Sequence, residues 1–336
     1  MKNRFETIIF IILTIALLIA TYTYVFIFTP PGKEKIVKTI FIPQGASFRI
    51  IAKELETSGI ITDADKFSML AEFKGALKKI KAGEYEFTTG MFPVQVLEKL
   101  VKGEVKEYNI TIPEGYNIME IAETLDAQGF VKKNDFIARA ADKTFIASFK
   151  IDGTSFEGYL FPDTYRLTKG MTVDDIIKKM VSRFNEVYSE IKGSRVQWFK
   201  GHMTTKEIVT LASIIEKETG APEERPLISA VFHNRLKKGM RLDSDPTVIY
   251  GIKNFNGNIT KKDLETKTDY NTYRIYGLPP GPIANPGKAS LEAAINPANE
   301  SYLYFVAKNN GTHYFSKDIK EHNRAVNVYQ KRKTEG

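Results

Sequence analysis

From Thr7 to Thr29 the chain carries no charged residue, and the run is rich in Ile, Leu, Phe and Tyr. Wound as a helix it reaches about 34 Å, enough to cross the hydrocarbon core of a bilayer. Met1-Lys2-Asn3-Arg4 precedes it and Pro30-Pro31 ends it. Tyr22 and Tyr24 stand where an interfacial aromatic belt forms. The run is longer than a signal-peptide core and no small-x-small cleavage site follows it. A retained transmembrane helix is therefore expected over residues 7–29. Flanking charge orients it weakly, because Lys2 and Arg4 lie on one side and Lys33, Lys35 and Lys38 on the other. The simpler topology keeps residues 1–6 as a cytoplasmic tail and everything after the helix outside, in a single-pass protein.

Beyond the anchor the pattern repeats at an offset of 70. Ile42-Pro43-Gln44-Gly45 matches Ile112-Pro113-Glu114-Gly115, and Ile51-Ala52, Leu55, Gly59 and Asp65 match Ile121-Ala122, Leu125, Gly129 and Asp135. A one-residue gap then aligns Phe67 with Phe136. Each copy predicts a short strand (Thr39–Ile42, Asn109–Ile112), a Pro-x-Gly turn, an amphipathic helix closed by Gly59 or Gly129, and a second short helix. Gly83 to Phe87 reads as a returning strand of the first copy. This βααβ order resembles a LysM-type module, which binds N-acetylglucosamine polymers. The alternative is a duplicated spacer without a ligand, since fold does not imply function. The expected division is one module over 30–103, a related repeat over 104–150, and a further domain over 151–336.

That domain opens on Glu157-Gly158-Tyr159-Leu160-Phe161-Pro162-Asp163-Thr164-Tyr165, a stiff aromatic segment that reads as a wedge between domains. A helix is predicted from about Val173 to Lys192. Thr204-Thr205-Lys206-Glu207 is a capping box. The helix it opens runs through Ile208, Val209, Leu211, Ala212, Ile214 and Ile215 to Glu216-Lys217-Glu218-Thr219, where Gly220 and Pro222 stop it. Its apolar arc is broad, so it is buried on most sides. Glu216 lies on one shoulder of that arc and Glu218 on the other, about 200° apart. A carboxylate on such a shoulder is partly desolvated, which raises its pKa toward the range a general acid needs. The plain alternative for Glu216 is an ion pair with Arg225 or Arg235. Helical geometry alone does not choose between Glu216 and Glu218.

A second helix, carrying Leu227, Ile228, Val231, Phe232 and Leu236, leads to Met240 to Thr247 and Val248 to Gly251. Tyr270-Asn271-Thr272-Tyr273 and Gly277 to Ile283 follow. These loops are dense in hydroxyls, amides, tyrosines and prolines, as sugar-binding clefts are, although turns favour the same residues. Tyr302 to Val306, Asn309-Asn310-Gly311 and His313-Tyr314-Phe315 read as a hairpin. There are no cysteines, which excludes disulfides, thiolate metal sites and cysteine nucleophiles. The four histidines, His202, His233, His313 and His322, show no metal spacing and read as structural or surface groups. The net charge of +8 suits an anionic partner such as phospholipid headgroups, wall polymers or nucleic acid, or serves solubility alone.

At Leu211-Ala212-Ser213-Ile214-Ile215-Glu216-Lys217-Glu218-Thr219 the sequence resembles the MltG (YceG-like) family of endolytic murein transglycosylases. The resemblance continues through Glu224-Arg225, Asn234-Arg235-Leu236, Leu242 to Tyr250, Tyr270 to Tyr273, Gly277 to Ile283 and Glu157 to Tyr165. It spans nearly the whole chain. It implies an α+β fold: one N-terminal transmembrane helix, LysM-like βααβ modules, and a mixed α/β catalytic domain with a lysozyme-like catalytic helix. It also implies that Glu216 is the sole catalytic acid/base. Asn234, Asp243, Ser244, Asp245, Thr247, Tyr250, Tyr270, Asn271 and Tyr273 would bind the saccharide. The family pattern often has Gln at position 243, which leaves the role of Asp243 open. No metal and no cofactor are expected. The expected partners are peptidoglycan glycan strands, the bacterial inner or plasma membrane, peptidoglycan synthases of the penicillin-binding type and division or elongation machinery, but not nucleic acid.

The implied reaction cleaves the β-1,4 bond between N-acetylmuramic acid and N-acetylglucosamine and leaves a 1,6-anhydro end. One carboxyl group suffices because the attacking hydroxyl belongs to the substrate. A lysozyme-type hydrolase using Glu216 with Asp243 or Asp245 would need two. An acyl-transfer enzyme would use Ser189-x-x-Lys192, but its Ser-Asp-Asn and Lys-Thr-Gly companions are missing. A non-catalytic wall-binding scaffold would use only the repeats.

Overall fold

The computed structural model describes residues 2–32, 34–193, 203–252 and 255–331. The expectations for Lys33 and His202 fall outside these residues. Two compact units form, one from residues 1–109 and 166–171, the other from 110–165 and 172–336.

The first unit begins with α1 (Lys2–Ile27). Its segment Glu6–Ile27 is long and apolar enough to cross a membrane. β1 (Val37–Ile42), α2 (Phe48–Thr57), α3 (Ala64–Phe73), β2 (Gly83–Thr88) and α4 (Pro93–Lys102) follow. β1 and β2 pair antiparallel from Val37 opposite Thr88 to Ile42 opposite Gly83, so the returning strand is present. Alternation along the strands sends Ile40, Ile42, Tyr85 and Phe87 into a core with Ile51, Leu55, Phe67 and Leu100. Phe26 and Ile27, at the end of α1, pack against that core.

The repeat is visible in the backbone. β3 (Glu107–Thr111), α5 (Ile118–Ala127) and α6 (Lys133–Ala140) copy β1, α2 and α3, with α5 displaced from α2 by the same 70 positions. The Pro-x-Gly turns reach φ +79° at Gly45 and +78° at Gly115, a region that costs glycine nothing. The copies then diverge. After α7 (Lys143–Ser148) the chain enters the aromatic segment and returns as β4 (Thr164–Thr168), which pairs with β3. From Ile110 onward the second copy belongs to the second unit.

The second unit continues with α8 (Val173–Gly193), α9 (Thr205–Glu218), a 3₁₀ turn at Pro222–Glu224, α10 (Arg225–Lys237), α11 (Asp245–Gly251), α12 (Lys261–Glu265) and α13 (Lys288–Ile295). The hairpin β5 (Tyr304–Ala307) and β6 (His313–Ser316) and then α14 (Ile319–Val326) follow. α9 is the central element. Thr204 caps it by accepting from Glu207 N, and every residue from Ile208 to Ile215 is buried. Each fully buried Ile or Leu there contributes roughly 1.5–3 kcal/mol. Asp245 to Gly251, expected as part of a loop, is a short helix, because Pro246 fits a first turn and Asp245 its positive end.

The aromatic segment is pinned beneath α9. Gly158 has φ +86°, and a Cβ there would stand 2.5 Å from Pro282 Cγ and 2.7 Å from Val209 Cγ1. Gly158→Ala is expected to cost about 2–4 kcal/mol from backbone strain plus overpacking. Gly239→Ala, at φ +65° with nothing within 4 Å, should cost only the strain. Urea unfolding of the two variants checks the difference.

Candidate functional site

α9 delivers its last two carboxylates to opposite environments. Glu216 Oε1 accepts from Arg225 Nη2 at 3.2 Å and Oε2 from the backbone N–H of Gly287 at 2.9 Å. Both partners of the ion pair are buried. Arg225 also donates Nε to Ser290 Oγ at 3.0 Å. Of the two arginines that the sequence offers Glu216 as ion-pair partners, Arg225 is the one that reaches it. Glu114, from the Pro-x-Gly turn of the second repeat, joins this cluster 3.9 Å from Arg225 Nη2. Burial, and then the charge of Glu216, push its carboxyl above the ordinary value against the pull of Arg225. Gly115 beside it accepts from Lys217 Nζ at 3.3 Å.

Glu218 meets a hydroxyl where Glu216 meets a guanidinium. As whole residues the two glutamates are equally part-exposed, and Ser244 Oγ donates to Oε1 of Glu218. Burial pushes its carboxyl up to about 7, with Asp245 adding to the shift and Ser244 and Arg235 opposing it. Ser244 itself is held by a buried hydroxyl cluster. Its N–H donates to Thr272 Oγ1 at 2.9 Å, its carbonyl accepts from Thr247 Oγ1 at 2.6 Å, and the two threonine hydroxyls lie 2.8 Å apart. Arg235 fixes the same loop by donating to Leu242 O at 2.6 Å and Leu303 O at 2.7 Å. Asp243 turns the chain there at φ +45°, a conformation Asp tolerates better than most residues.

The other expected binding residues divide. Exposed Asp245 accepts from Tyr273 OH at 2.7 Å, so these two stand with Ser244 near Glu218. Tyr250 and Tyr270 pack as a ring pair 4.8 Å apart. Thr247 and Asn271 are fully buried. Asn271 donates its amide to Asp263 O, Leu264 O and Thr266 O, so it pins a loop. Asn234 donates to Glu300 O and Tyr302 O, which ties α10 to the hairpin. Asp243 lies 3.9 Å from both Arg235 and Arg241.

Sequence reasoning passes over Glu157. It is buried, accepts from Ile118 N, Asn285 Nδ2 (3.0 Å) and Tyr250 OH (3.2 Å), and burial pushes its carboxyl up to about 8. An acid within an otherwise aromatic segment is the available signal. For Glu114 the signal is the exchange of Gln44 for Glu between the two copies. The histidines that are described have local partners: His233 with Ala294 O, His313 with Glu224, and His322 stacked on Tyr304. Among the described residues no group of three or more His, Asp or Glu could hold a metal ion.

An α+β chain with an apolar N-terminal helix, a repeat and an acid-bearing buried helix has clear relatives. The model of the YceG-like family matches residues 40–328, and the chain belongs to that family. A protein of Bacillus subtilis (strain 168) named endolytic murein transglycosylase is 37% identical over 318 residues, covering 90% of this chain and 87% of that protein. One of the same name from Streptococcus pneumoniae (strain D39) is 32% identical over 324 residues, covering 86% of this chain and 57% of that longer protein. A crystal structure of a yceG-like protein from Listeria monocytogenes, 35% identical, covers 87% of this chain and aligns over all of its own, with a TM-score of 0.59.

Arg225→Met leaves Glu216 buried without its cation and should cost about 3–5 kcal/mol. The double variant Arg225→Met/Glu216→Gln should lose clearly less than the sum of the single changes. A double-mutant cycle by chemical unfolding measures this.

Proposed function

We propose that this protein is a lytic transglycosylase that cuts peptidoglycan glycan strands internally, with Glu218 as its acid/base and Glu216 in a structural ion pair. The similarity to proteins named endolytic murein transglycosylase, over most of this chain's length, supports the activity. The observation that carries the residue assignment is the contrast between the two carboxylates of α9. Glu216 accepts from a guanidinium and from a backbone N–H, so both of its carboxylate oxygens are occupied by fixed donors. Glu218 faces a neutral hydroxyl, and burial raises it to about 7, so near neutral pH it is present in both forms. This departs from the family-based expectation of Glu216.

In the reaction, protonated Glu218 gives its proton to the bridging oxygen between N-acetylmuramic acid and N-acetylglucosamine. The C1–O bond breaks and an oxocarbenium-like centre develops on the muramoyl ring. Ionised Glu218 then takes the proton of the C6 hydroxyl of the same ring, whose oxygen bonds to C1. The product is a 1,6-anhydro end, no water is consumed, and the carboxyl is restored to its acid form. Ser244 orients the Glu218 carboxyl. Asp245 with Tyr273, and the ring pair Tyr250–Tyr270, offer the polar and aromatic surfaces a saccharide needs. α1 anchors the chain in the membrane as a single-pass helix, with everything after it outside. The βααβ repeat retains its LysM-like reading, as a contact for the glycan.

Digestion of purified wall, with mass spectrometry of the product ends, tests this. Glu218→Gln should lower strand scission by about 10²–10⁴, the usual share of acid/base catalysis. Glu216→Gln should remain active when folded. Reducing ends in place of anhydro ends would convert the reading to a hydrolase assisted by Asp245. An inert but folded Glu216→Gln beside an active Glu218→Gln would reverse the assignment.

The acid form of Glu218 is lost as pH rises through about 7. The value of kcat/KM for wild type should therefore fall about tenfold per pH unit well above that point. A rate flat from pH 6 to 9 would contradict the assigned acid.

A further inference from the structure

α3 exposes an apolar edge that the first unit's core does not use. Phe67, Leu70 and Ala71 face the core, whereas Met69 is 69% and Phe73 is 89% exposed, and Leu77 just beyond the helix is 40% exposed. Large apolar groups this open normally mark an interaction surface when they share a face. Lys66, Met69 and Phe73 do share one, at helical spacings of three and four.

Lys66 fixes the height of that face. Its Nζ lies 4.6 Å from the centroid of the Tyr22 ring and 5.8 Å from that of Phe26, both on α1. The apolar span of α1 ends at Ile27. Tyr22 is five residues before that end, or about 8 Å along the helix axis at 1.5 Å per residue. Phe26 and Ile27 pack on the first unit's core, so the lipid-facing part of α1 ends near Tyr22, where an interfacial tyrosine stands, and an ammonium bound over that ring sits at headgroup level. Lys66 is also paired with Asp63 at 2.9 Å, which balances its charge there. From this point the helix carries Met69 and then Phe73 on the same side. Lys74, Lys78 and Lys79 follow, all exposed. Residues 64–81 hold five lysines against two acids, Asp65 and Glu72.

We propose that this face, Met69, Phe73 and Leu77 flanked by Lys74, Lys78 and Lys79, seats in the surface of the bilayer as a second membrane contact beside α1. It rests on reading α1 as a membrane span. The ligand is a lipid surface with anionic headgroups: the lysines meet the phosphates, and the apolar side chains reach the boundary of the acyl chains. A single spanning helix can still tilt and roll in the bilayer, carrying with it the unit packed on its end. A contact one and two turns along α3 from Lys66 fixes the first unit's tilt, which limits where the repeat meets its wall ligand.

The test places a fluorescent reporter at the face in the full chain. Trp198, the chain's one tryptophan, is removed by Trp198→Phe, and Phe73→Trp is added to that background. The protein is reconstituted in vesicles of phosphatidylglycerol and phosphatidylcholine, with or without bromine on the acyl chains. Flotation first establishes that the chain is anchored. The proposal expects the emission of the introduced indole to be blue-shifted, protected from acrylamide and strongly quenched by the brominated lipid. Anchored protein whose reporter is open to acrylamide and untouched by bromine would overturn the proposal and leave the anchor standing. Protection without bromine quenching would overturn it in favour of a protein neighbour, such as a second copy. A chain that fails to float would remove the anchor reading and this inference together.

Discussion

Everything at the site follows from α9 being buried all round. A helix enclosed from Ile208 to Ile215 cannot rotate to suit a ligand, so its last turn is fixed in azimuth by the core. Two glutamates two residues apart on that turn must therefore enter different surroundings. One meets a guanidinium and a backbone N–H, the other a hydroxyl. The chemistry of each carboxyl is set by what the neighbouring segments bring to it.

Those segments come from distant parts of the chain. The partner of Glu216 is Arg225, at the start of α10, seconded by Gly287 before α13 and crowded by Glu114 from a repeat whose first copy lies in the other unit. Glu218 is met by the loop between α10 and α11, tied down by Thr247, Thr272 and Arg235. Glu157 links the start of α5, Asn285 and Tyr250 through one buried carboxyl. The second repeat has thereby become part of the unit that carries the site, where its turn supplies charge instead of spacing.

Periodicity makes the elements legible. The apolar N-terminal helix, the duplicated strand-turn-helix-helix units, the capping box of α9 and the closing hairpin all follow from local pattern, because each depends on residues within a turn or two. The angular separation of Glu216 and Glu218 is legible for the same reason. Which of them is ion-paired is not, because Arg225 and Gly287 approach from other elements and no local rule fixes their positions. Asn234, Thr247 and Asn271 show the complementary limit. Their residue types suit sugar binding, yet each satisfies backbone or hydroxyl partners inside the fold. Asp245 to Gly251 reads as loop in the sequence because seven residues carry too little periodicity to reveal a helix.

The central claim is that a partly buried carboxyl at the end of α9 holds its proton to near neutrality. Following the carboxyl carbons of 13C-labelled glutamate by NMR through a pH titration measures this directly. The account predicts two resonances with strongly raised midpoints, near 8 for Glu157 and near 7 for Glu218, of which the second vanishes in Glu218→Gln and persists in Glu216→Gln. A spectrum in which the Glu218→Gln change removes only a resonance titrating in the ordinary carboxylate range would contradict it.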